Sequence, residues 1–200
     1  MKKILFIFLI FSLAGCYNYK ELNEFAYTSS IGISKLDNKY TISIQTINVQ
    51  KTEDKNIEFI IYKGIGNTIN EAYNDLSKTI SKDIYLNSCE VLVINKEVNI
   101  NDILTLFTNN KSNKLMYLVI NNNINNLFNI TSKIDTINSN KIKEILKINN
   151  RIITFEEVLD NYLNNKTYSI PSIYLDNNNI KIGSSYLFKK NALIKEKNNG

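Results

Sequence analysis

The hydrophobic rhythm of the chain changes several times, and each change marks an element. Ile4 to Leu13 read "ILFIFLIFSL", apolar except for Ser12, behind the positive start Met1-Lys2-Lys3. A membrane-crossing helix needs about 20 such residues, so this run fits the apolar region of a secretory signal instead. Phe25 to Ser34 and Lys39 to Gln50 follow, and in the second of them Tyr40, Ile42 and Ile44 alternate with Thr41, Ser43 and Gln45. That period of two predicts a half-buried strand, and Asp37-Asn38 between the runs tolerate a tight turn. A hairpin is expected, then a polar loop "KTEDKN" and a third strand "IEFIIYKG".

From Gly64 the period lengthens. Thr68-Ile69-Asn70-Glu71 has the form of a capping box, and Ile69, Ala72, Tyr73, Leu76 and Ile80 recur at helical spacing. The glycines of "GIGNT" precede no Gly-Lys-Ser or Gly-Lys-Thr, so they predict a turn into a capped helix rather than a phosphate loop. "CEVLVIN" (Cys89 to Asn95), a helix over Asn99 to Asn110, and "LMYLVIN" (Leu115 to Asn121) form a strand, helix, strand unit. Its strands are nearly continuous apolar runs, the pattern of strands covered on both faces.

"NNNINNLFN" reads as a loop or weak helix. "SNKIKEILKI" and "TFEEVLDNYL" read as amphipathic helices, the second opened by another capping box at Thr154. Pro171 is expected to break the last helical region and open "SIYLD", which pairs with "NIKIGSSYLFKKNALIK" through Asn177-Asn178-Asn179. The fold class predicted is α/β (α+β), a mixed β-sheet with amphipathic helices packed on it.

Charge and composition narrow the chemistry. The net charge of +5 loses Lys2 and Lys3 with the leader, and Arg151 is the only arginine. With no arginine fork for base edges and no basic stripe interleaved with aromatics, no nucleic-acid partner is expected. The wealth of Asn, Lys and Ile fits an AT-rich coding sequence. The chain has no histidine, which removes the usual general base and the commonest metal ligand. No metal and no cofactor are expected.

Cys16 and Cys89 are the two cysteines. Cys89 lies in an apolar run and is expected to be a small buried hydrophobe rather than a nucleophile. Cys16 follows Leu13-Ala14-Gly15, and this quartet resembles the bacterial lipobox, after which the signal is cut and the thiol takes a diacylglyceryl group. Two acyl chains anchor stably where one does not. An ordinary signal with a chance cysteine at its end is the alternative.

"GCYNYKELNEFAYTSSIGISK" resembles the start of the mature C subunit of spore germinant receptors, the Ger(x)C lipoprotein family. "GNTINEAYNDLSKTISKDIYLNSCEVLVINKEV", "IPSIYL" and "IGSSYLFKKNALI" resemble later segments of that family in the same order. Tyr17, Asn18 and Ser34 depart from its usual Trp, Asp and acidic residue. The resemblance implies a signal peptide over 1–15, a lipidated segment over 16–24, an N-terminal α/β domain over 25–195, and a tail or truncation point over 196–200; family members carry two further regions.

It also implies a non-catalytic subunit on the outer face of the spore inner membrane or the cell membrane. Its partners would be membrane lipid, through the acylated Cys16, and integral-membrane A-type and B-type receptor subunits, with nutrient binding ascribed to the transporter-like partner. Tyr17, Tyr19, Glu21, Leu22 and Phe25 are the expected partner interface, because tyrosine rings bury area while their hydroxyls stay wet. Packing of the two tyrosines at the domain base is the competing role. Two other classes remain as alternatives: a lipid-anchored solute-binding protein, and a cell-envelope hydrolase using carboxylates such as Glu71, Asp75, Glu90 and Glu97, which would need a fixed separation across a cleft.

Overall fold

The computed structural model describes residues 22–48, 58–110, 112–129 and 138–197. Their strands are β1 (Phe25–Leu36), β2 (Lys39–Asn48), β3 (Glu58–Gly66), β4 (Asp83–Tyr85), β5 (Val91–Ile94), β6 (Tyr117–Ile120), β7 (Thr167–Asp176), β8 (Asn179–Lys189) and β9 (Ala192–Lys197). They join in one sheet of order β3-β2-β1-β5-β6-β7-β8-β9, with β4 pairing the start of β1. The four central strands β1, β5, β6 and β7 run parallel, and antiparallel ribbons extend the sheet on both sides.

Local chemistry decides which links are hairpins. Asp37 and Asn38 (φ 48° and 61°) join β1 to β2, and Asn177 and Asn178 (φ 48° and 63°) join β7 to β8. Two successive left-handed residues give the turn whose twist matches that of the strands. Parallel neighbours need longer crossovers, and these carry α1 (Ile69–Lys78), α2 (Ile100–Asn109), α3 (Ile124–Phe128), α4 (Asn138–Ile148) and α5 (Phe155–Leu163).

The helices cover both faces. Ala72 and Leu76 of α1, Ile103 and Leu106 of α2, and Phe155 and Val158 of α5 pack on one face; Leu127 and Phe128 of α3, and Ile142 and Leu146 of α4, pack on the other. β5 sends Leu92 and Ile94 to the first core and Val91 and Val93 to the second, none more than 1% exposed. Each such side chain contributes about 1.5–3 kcal/mol by leaving water. The result is a mixed sheet between two helical layers, as the apolar runs predict.

Three details differ from the sequence reading, and one open choice is decided. Pro171 does not break a helix: it lies inside β7 opposite Ser185, where the register slips by one residue on β8. A proline has no amide to give a ladder, and such a bulge accommodates it. β3 runs on through Gly66, two residues past the expected strand end at Gly64, and a Cβ on Gly64 would stand 2.2 Å from Leu76 N and 2.3 Å from Ala72 O, so α1 rests on bare strand backbone. Cys89 precedes β5 instead of starting it. Of the loop or weak helix expected at "NNNINNLFN", the short helix α3 is found, because Ile124, Leu127 and Phe128 all reach the second core.

Candidate interface at the amino-terminal end of the sheet

Cys16, Tyr17, Tyr19 and Glu21 lie outside the described residues. Leu22 opens a 3-10 turn, Leu22–Glu24, and Phe25 starts β1. There β1 pairs with β4 through Phe25↔Asp83, Ala26↔Ile84 and Tyr27↔Tyr85. This pairing brings three rings together: Phe25 and Tyr85 at 5.5 Å, Tyr27 and Tyr85 at 5.6 Å, and Phe25 and Tyr27 at 6.4 Å between centroids. Tilted and edge-on contacts at such distances are favourable beyond the area they bury.

A bulge aims the rings. Thr28 pairs with Thr46 and Ser30 with Gln45, so Ser29 is an extra residue in β1. Its buried hydroxyl donates to Gln45 O at 3.1 Å. Strict alternation from Ile31 and Ile33 would send Phe25 and Tyr27 into the first core; the bulge turns them to the opposite face, beside Tyr85. The 3-10 turn Leu86–Ser88 holds the partner strand, since Ser88 Oγ lies 2.9 Å from Thr28 O and 2.8 Å from Tyr85 O. Phe25 and Tyr27 are half-buried and Tyr85 is exposed. A small aromatic platform therefore sits where the chain enters the sheet, flanked by Glu24 and Asp83.

Of the expected interface residues, Phe25 alone has a described side chain in this cluster. Tyr27 and Tyr85 are additions. Tyr27 follows Phe25 at strand spacing, but Tyr85 belongs to a three-residue strand that carries no periodic signal of its own.

The carboxylates named for hydrolysis do not converge. Glu71 Oε2 accepts from Asn67 N at 2.9 Å and Asp75 Oδ2 from Ile65 N at 3.0 Å, both tying α1 to the end of β3. Glu90 bonds Lys143 Nζ at 2.7 Å and Ser139 Oγ at 3.1 Å, both on α4 across the sheet. Glu97 is exposed. Cys89 is fully buried, and burial pushes its thiol up to about 12. That suits the core role and opposes thiolate chemistry. Among the described residues no group of three His, Cys, Asp or Glu could hold a metal ion, and no helix is long and apolar enough to cross a membrane.

Comparison with known proteins gives three findings. The chain is 24% identical over 159 residues to the spore germination protein KC of Bacillus subtilis (strain 168), a match that covers 72% of this chain and 39% of that protein. It is similar to the chain in the crystal structure of the GerBC protein, at 15% identity and a TM-score of 0.42, over 90% of this chain and 54% of that one. The chain thus spans about two fifths of the curated relative it matches. A family model described as the spore germination protein N-terminal domain matches residues 18–175, over three quarters of the sequence, and the chain belongs to that family.

Proposed function

We propose that this chain is a non-catalytic, lipid-anchored subunit of a spore germinant receptor, tethered through Cys16 to the outer face of the spore inner membrane or cell membrane. It assembles there with two integral-membrane subunits of the A and B types. Tyr17, Tyr19, Glu21, Leu22 and Phe25 lead from the anchor into the interface, and Tyr27 and Tyr85 extend it. The observation that carries this reading is the Phe25–Tyr27–Tyr85 platform, placed where the segment from Cys16 meets the body. Phe25 is nine steps along the chain from Cys16, and an extended chain of that length reaches at most about 30 Å. The tether thus keeps the platform within reach of the headgroups, where rings with wet hydroxyls are at home.

Fractionation and co-purification from sporulating cells test both halves. Cys16→Ser should release the protein from the membrane fraction, and mass spectrometry should find a diacylglyceryl group on the native cysteine. Replacing Phe25, Tyr27 and Tyr85 together by Ala should leave the anchor intact and reduce recovery of the membrane subunits about tenfold, the effect of losing about 1.4 kcal/mol of contact. Undiminished recovery refutes the interface. An unmodified Cys16 in protein shed to the medium refutes the anchor.

A further inference from the structure

A second site lies at the other end of the sheet, where β6 stops and β7 continues. The two strands share a single register pair, Ile120↔Ser172, and then part. A cavity of about 370 Å³ opens in the gap, within the range of small-molecule sites. In sheets with parallel strands, the crevice beyond the carboxyl ends of those strands is a favoured place for ligands.

The gap has a fixed floor. Asn121 is buried, its Nδ2 donates to Ile173 O at 2.8 Å, and its Oδ1 accepts from Asn123 N at 2.7 Å. It thus replaces the ladder bonds lost as the strands separate. Ser172 Oγ donates to Ser184 O at 2.7 Å. Around the mouth stand the exposed side chains of Asn122, Asn126 and Tyr174.

The lining contains no Asp, Glu, Lys or Arg. Lys181, opposite Tyr174 in the register, is already bonded to Asp176. A carboxamide offers donors and acceptors together. With no charged side chain in the lining, a bound anion or ammonium would give up water with no counter-charge to replace it. A hydroxyl both gives and takes, and a tyrosine ring suits the C–H face of a cyclic polyol. We infer that this crevice binds an uncharged polyhydroxylated molecule of monosaccharide size, held by the Asn122 and Asn126 amides and by Tyr174. This site is separate from the anchor and aromatic platform, so its fate does not depend on theirs.

Saturation-transfer NMR on the 200-residue chain in detergent micelles tests it, with D-glucose, D-fructose and myo-inositol as polyol probes and L-alanine and L-glutamate as charged probes. At least one polyol should receive saturation. Asn126→Ala and Tyr174→Ala should each weaken its binding roughly fivefold, what the loss of one neutral hydrogen bond or one ring contact brings. Asn74→Ala, on the exposed side of α1, should leave it unchanged, and thermal melting checks that the variants stay folded. No signal from any polyol, a polyol signal that survives both substitutions in folded protein, or binding of only the amino acids would overturn the inference.

Discussion

Asparagine does in this protein much of what glycine does elsewhere. Seven described non-glycine residues have left-handed backbones, and five of them are Asn38, Asn150, Asn165, Asn177 and Asn178; no described glycine is left-handed. Asparagine tolerates that region because its short polar side chain bonds locally. An asparagine-rich composition that coding bias explains on the page of sequence is thus also put to structural use. Asn150 shows this best: it follows α4, and Arg151 N closes the helix end on Leu146 O at 2.9 Å. Asn150→Ala should lower stability by about 1 kcal/mol in urea denaturation, while Asn150→Gly should match or exceed the native midpoint.

At the scale of elements, what was legible followed from period and capping. α5 begins at Thr154 with the reciprocal bonds of a capping box, Glu157 N to Thr154 Oγ1 at 3.2 Å and Thr154 N to Glu157 Oε2 at 2.7 Å. α1 is capped almost as expected, except that the Glu71 carboxylate reaches back to Asn67 N rather than to the cap residue. What could not be read was set by pairing between distant segments. β4 exists because β1 offers it an edge, and the Ser29 bulge is visible only when β1 and β2 are aligned. Both decide the aromatic platform, so that site was half hidden from the sequence.

The close seat of α1 on β3 is equally non-local and makes a sharp test. In Gly64→Ala the new methyl meets helix backbone that cannot rotate away, and about 3 kcal/mol or more of stability should be lost. In Gly183→Ala it meets Ser172 Oγ, a side chain that can turn, and the loss by denaturant titration should be far smaller.

The whole molecule is built to hold protons at high pH. Burial lifts Cys89 to about 12 and raises Tyr168, Tyr73, Tyr40 and Tyr186 above the ordinary phenol range. Unfolded, these groups ionise at their usual values, so above about pH 8.5 the unfolded chain binds fewer protons than the folded one. Stability is therefore complete at neutral pH and falls as the solution becomes alkaline, by up to about 1.4 kcal/mol per pH unit for the thiol alone. The urea midpoint should drop steeply between neutral pH and about pH 11, and Cys89→Ala should flatten part of that slope.

The lone register pair between β6 and β7 gives the sheet a seam. On one side of it β1, β5 and β6 share evenly registered ladders of four pairs each; on the other, β7, β8 and β9 form a ribbon with longer internal pairing. Across that seam the ribbon is held by the Asn121 bond to Ile173 O and by Tyr168, Ile170, Ile173 and Phe188 in the two cores, so cohesion there rests on packed side chains where elsewhere it rests on backbone ladders.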